Sequence, residues 1–159
     1  MIGVRRIAVR AAAGLVVAAG VAACGGADSA SFLIDGTGDH ALTLEREQPF
    51  LWSDRWNLQL VVNNQPECQR RHALKPAGDG KFRLTVYRTP DGAFILNLGK
   101  RWYVTELRSC RLQQYEDEPP APGEPVGAFV GKGGALRFTT ETAADAGPPP
   151  AAAPGDTPR

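Results

Sequence analysis

The sequence predicts an all-β domain, a small antiparallel β-sandwich or barrel built around a three-stranded meander. Three observations carry that prediction. Short runs rich in β-branched, aromatic and leucine residues alternate with Gly, Pro and Asp turn signals. No segment sustains a 3.6-residue apolar period beyond two turns. The central hairpins carry apolar residues on both faces, which a single sheet exposed on one side would leave in water. The 159 residues suffice for one such domain with a modest core.

In chain order, the first element is an export signal, residues 1–23. Arg5, Arg6 and Arg10 precede an apolar run from Ala11 to Ala23, the order of a charged n-region and an apolar h-region. The run is shorter than the roughly 20 apolar residues that a membrane-spanning helix needs. Val21-Ala22-Ala23-Cys24 resembles the lipobox of bacterial lipoproteins. That resemblance implies cleavage between Ala23 and Cys24 and a diacylglyceryl thioether on Cys24, with the membrane as partner through that lipid. Gly25 is not the aspartate that typically retains such proteins at the inner membrane. The resemblance therefore implies the periplasmic face of the outer membrane. The alternative is an ordinary secretory signal cut beside a cysteine. Residues 24–30, small and polar, read as a tether between lipid and domain.

With Cys24 assigned to lipid, Cys68 and Cys110 remain. Export places them in an oxidising compartment, where a disulfide is the default state. Closing that long loop stabilises the fold by roughly 4 kcal/mol in the chain-entropy treatment. No C-x-x-C is present, and two isolated cysteines with His40 and His72 do not make a zinc spacing.

The domain spans 31–140. SFLI (31–34) and ALTLE (41–45) are weak strand candidates, and WNLQLVV (56–62) is a stronger one. Residues 63–77 read as a polar connection. The meander follows: KFRLTVYR (81–88), AFILNL (93–98) and RWYVTEL (101–107). Thr89-Pro90-Asp91-Gly92 and Leu98-Gly99-Lys100-Arg101 are hairpin turns. A three-residue loop at 90–92 and a two-residue loop at 99–100 align Val86, Leu96 and Tyr103 on one face. Tyr87, Ile95 and Val104 then share the other face, with Trp102 near Asn97. Strict alternation gives Cys110 the parity of Trp102, which would pin the 63–77 connection near that second face. EDEPPAPGEP (116–125) reads as an unfolded acidic link before VGAFV (126–130) and ALRFTT (135–140). Residues 141–159, mostly Ala and Pro without an aromatic, read as a disordered tail.

Enzyme motifs are missing: no G-x-S-x-G, H-E-x-x-H, P-loop or G-x-G-x-x-G occurs. Asp35-Gly36-Thr37-Gly38-Asp39 lacks the later ligands of a calcium loop and reads as a turn. No cofactor, metal site or catalytic residue is expected. Glu45 and Glu47 share one strand face, and His72 is placed in a polar loop. Either Glu45 or His72 would serve an alternative reading as a small hydrolase of cell-wall or glycan substrates.

The net charge of +1 conceals a basic middle. Between Arg55 and Arg111, eleven Lys and Arg residues face four acids, flanked by acidic stretches. Pairing Cys68 with Cys110 would gather Arg70, Arg71, Arg108 and Arg111, with Trp102 and Tyr103 interleaved. Such a cluster suits anionic envelope material or an envelope protein partner; the compartment disfavours nucleic acid. The expected function is a lipid-anchored envelope protein with a non-catalytic binding or structural role.

Overall fold

A computed structural model describes residues 26–50, 52–75, 78–132 and 134–140. The export segment, Cys24 and the 141–159 tail lie outside the described residues. The described chain forms ten strands and no helix. They are β1 (Ala27–Leu33), β2 (His40–Glu47), β3 (Asn57–Asn64), β4 (Cys68–Leu74) and β5 (Phe82–Arg88). Next come β6 (Phe94–Leu98), β7 (Arg101–Glu106), β8 (Arg111–Tyr115), β9 (Glu124–Lys132) and β10 (Ala135–Thr139).

Two antiparallel sheets result, one ordered β1-β2-β3-β4 and one ordered β10-β9-β5-β6-β7-β8. Alternation along each strand sends one row of side chains inward. Leu42, Leu44, Leu58, Leu60 and Val62 from the first sheet share a core with Leu84, Val86, Phe94, Leu96, Tyr103 and Phe129 from the second. The fold is therefore a sandwich, not a closed barrel, because the two sheets share a core but no strand ladder.

Both edges of the sandwich are fastened. On one side β1 lies against β10, where Phe32 stacks on Phe138 at 4.9 Å. On the other, Cys68 at the start of β4 is bonded to Cys110 in the turn between β7 and β8.

The meander register agrees with the turn chemistry. Val86 pairs with Leu96 and Leu96 with Tyr103, while Tyr87 pairs with Ile95 and Ile95 with Val104. Gly92 and Gly99 both take positive φ in the two hairpin loops.

Four expectations are corrected. Ala27–Ala30 is not tether but the first half of β1, paired with Leu44–Glu47. Residues 68–74, within the expected 63–77 connection, form the edge strand β4, and 111–115, which the sequence left unassigned, form the edge strand β8. Their sequences, CQRRHAL and RLQQY, hold few apolar residues because an edge strand faces water and resists pairing when charged. Glu124 and Pro125 belong to β9, in register with Arg88 and Tyr87 across a bulge. Finally, Cys110 joins the core and not the outer face. Residues 107–110 form a turn, and Cys110 itself takes φ 50°, so strand parity does not carry through it.

Candidate functional site

The disulfide corner is the best-built candidate site. Cys110 is fully buried, and its carbonyl oxygen accepts a hydrogen bond at 2.7 Å from His72 Nε2. A carbonyl has no proton to give, so His72 carries its proton on Nε2. His72 lies within β4 on the inner-facing row with Cys68 and Leu74, not in a polar loop. It braces the first sheet against the β7–β8 turn and has no free nitrogen aimed at solvent through Nε2.

Around this corner the four arginines separate. Arg70 and Arg71 are consecutive in a strand and so point to opposite faces. Arg71 is ion-paired with Glu45 on the outer face of the first sheet, Nη2 to Oε1 at 3.1 Å. Arg70, Arg108 and Arg111 are exposed, with no ion-pair partner among the described residues. Arg108 lines a groove of about 480 Å³ with Asn64, Asp91 and Glu106. Arg111 stands in register with Glu106.

Trp102 shares the outer face of β7 and β8 with Arg111 but sits at the other end, opposite Tyr115. Four residues at 3.3 Å each place it about 13 Å from the Arg111 level. There it joins an aromatic row: its ring lies 6.0 Å from Tyr87, and Tyr115 is half exposed. Burial, with the nearby Glu118 carboxylate, raises the Tyr87 phenol above its ordinary range. Tyr103, by contrast, is a core residue and takes no part in a surface patch.

Glu45 and Glu47 do share a face. With Ser29, Asn57, Gln59 and Arg71 they line a polar groove of about 340 Å³ across the first sheet. The Glu45 carboxylate is already engaged by Arg71, so it does not converge with a second acid on one bond. Residues 35–39 form a turn in which the Asp35 carboxylate accepts from Thr37 N and Oγ1 and pairs with His40 at 2.5 Å. No group of three or more metal-ligating side chains occurs among the described residues.

Two features escaped the sequence reading. Arg46 is 1% exposed and lies on the inner face of β2, where alternation predicts an apolar residue. It donates to Asp28 through Nε and Nη2, to Gly80 O at 3.2 Å, and lies 4.4 Å over the Trp56 ring. Asp28 Oδ2 also accepts from Leu136 N of β10 at 2.7 Å. Its alternation with Glu45 and Glu47 was the available signal: Arg46 interrupts a row headed by Leu42 and Leu44.

The second feature is an exposed aromatic pair in the β2–β3 loop. Phe50 and Trp52 stack at 5.4 Å and 13°, with Trp52 78% exposed. No helix among the described residues is long and apolar enough to cross a membrane. The chain matches no protein-family model, no curated protein and no solved structure.

Proposed function

We propose that the protein is a lipid-anchored component of the bacterial envelope with a non-catalytic binding role. It is held at the periplasmic face of the outer membrane through Cys24. The observation that carries the reading is the Cys68–Cys110 bond. It accounts for two of the three cysteines and leaves Cys24, placed directly after the small residues of a lipobox, for acylation. Two or more acyl chains anchor stably where one does so only marginally.

The layout of the first sheet supports the binding role. β2 begins at His40, level with Asn64 and Cys68, and ends at Glu47, level with Ala27. The chain therefore enters at one end of the sheet, and the arginine corner lies at the other, about 23 Å away at 3.3 Å per residue. Anchored at its entry end, the domain presents Arg70, Arg108 and Arg111 away from the lipid, where anionic envelope material can reach them. A hydrolytic role has less support, since Glu45 is held by Arg71 and His72 by the Cys110 carbonyl.

Mass spectrometry of the native protein tests the anchor: an acylated Cys24 peptide, lost in Cys24→Ser, is expected. An unmodified mature N-terminus or a free Cys24 thiol overturns the reading. Co-sedimentation with isolated envelopes tests the corner. Arg70→Glu, Arg108→Glu and Arg111→Glu together should weaken a salt-sensitive association, and binding indifferent to salt and to the triple reversal refutes it.

A further inference from the structure

The chain enters the domain between the two roots of the loop that carries Phe50 and Trp52. Gly26 O accepts from Gln48 N at 2.7 Å, and Gly26 also lies against the Trp56 ring. Gln48 and Trp56 bracket the loop in sequence. The loop is tightened internally: Gln48 Nε2 donates to Ser53 O at 2.5 Å, and Ser53 N donates to Phe50 O at 2.9 Å. Its aromatic rings are held outward as a stacked pair instead of folding onto the core, with Phe50 56% and Trp52 78% exposed.

Cys24 is two residues ahead of Gly26. Two residues of extended chain span at most about 7 Å. A lipid on Cys24 therefore brings the bilayer surface to the root of this loop. Exposed tryptophan and phenylalanine are costly in water; at a membrane interface the amphipathic indole sits favourably at headgroup level and the apolar phenyl ring at the acyl boundary.

We propose that Phe50 and Trp52 form a membrane-interface wedge that inserts beside the Cys24 lipid and fixes the orientation of the domain on the bilayer. The occupant of this surface is phospholipid. The inference rests on the anchored reading above, and it adds a second contact to a point tether. With one attachment the domain swivels about its lipid; with two it stands with β1–β4 directed away from the membrane.

The test supplies the tether independently of cellular acylation. The chain from Cys24 to Arg159, with Cys68 and Cys110 oxidised, is coupled through the Cys24 thiol to a maleimide-bearing lipid. The vesicles contain phosphatidylethanolamine and phosphatidylglycerol, brominated at shallow acyl positions. Trp52 should contribute the most strongly quenched component of the fluorescence, with Trp56, at the root of the loop, and Trp102 quenched less. That component should disappear in Trp52→Ala. In Phe50→Asp, which retains the fluorophore, it should fall about tenfold because an interfacial charge opposes insertion. A coupled chain without quenching, or quenching unchanged in Trp52→Ala, overturns the wedge. A native Cys24 without acyl chains overturns the anchor instead, and the two failures are told apart because the coupled vesicles do not depend on it.

Discussion

Arg46 and Asp28 form a two-pronged ion pair between β2 and β1, Nε to Oδ1 at 2.5 Å and Nη2 to Oδ2 at 3.0 Å. The Arg46 side chain is wholly buried, whereas that of Asp28 is 28% exposed. The same aspartate caps Leu136 N of β10, so one carboxylate joins β1, β2 and β10. A residue placed just after a candidate lipid attachment point thus helps to close the sandwich.

Asp28→Asn should destabilise the domain by about 3 kcal/mol, because removing the partner leaves a buried guanidinium uncompensated. Urea unfolding followed by tryptophan fluorescence measures it. A chain begun at Ser31 should lose as much or more, since it lacks the first half of β1, Asp28 included. A loss below about 0.5 kcal/mol, the size of an ordinary surface change, would show that the pair carries no such role.

Gly80 lies against Trp56, and its carbonyl accepts from the same buried arginine. It has φ 74°, and a Cβ there would lie 2.5 Å from Trp56 Nε1. Gly80→Ala should therefore cost about 2 kcal/mol through strain and displacement of the indole. Gly36→Ala, also at positive φ but in open space, separates the two effects: it should cost only the backbone strain. Thermal unfolding of the two variants checks the order.

The Cys68–Cys110 bond and the His72 hydrogen bond fasten the same turn. Replacing both cysteines with alanine should cost roughly 4 kcal/mol, and His72→Ala about 1 kcal/mol. The combined variant should lose less than the sum, because freeing the turn removes the geometry that His72 uses. Strict additivity in denaturant titrations would separate the two contacts.

Asp35 and His40 make stability depend on pH at the β1–β2 turn. The hydrogen bond from His40 holds the Asp35 carboxyl below its usual range, and the same bond raises His40 above 6.5. The histidine contribution is fully present below pH 6.5 and fades as pH rises through the raised value. The aspartate contribution is present above 3.8 and fades as pH falls through the lowered one. Between these limits the pair is intact. Titration of the His40 ring by NMR should give a midpoint above 6.5, returning close to 6.5 in Asp35→Asn. An unchanged midpoint in that variant would show that Asp35 is not the cause.

Most of the apolar architecture was readable because alternation is a local property. Leu84 and Val86 lie two residues apart, as do Phe94, Leu96 and Leu98, and Gly92 and Gly99 mark the turns that set their register. The edge strands were not readable. Arg70, Arg71 and His72 look like a loop because half of an edge strand never meets the core. Arg46 was hidden for the opposite reason: a charge on an inward position makes sense only once Asp28, Gly80 and Trp56 surround it.

By itself, the sequence determined the all-β class and the meander register, since each follows from neighbouring residues and turn chemistry. Only the tertiary structure decided that β1 starts at Ala27, that Cys110 turns into the core and that Arg70 and Arg71 part to opposite faces. It also decided that Phe50 and Trp52 stand beside the chain's point of entry. These depend on which distant strands meet, and contacts between strands far apart in the chain leave no periodic trace along it.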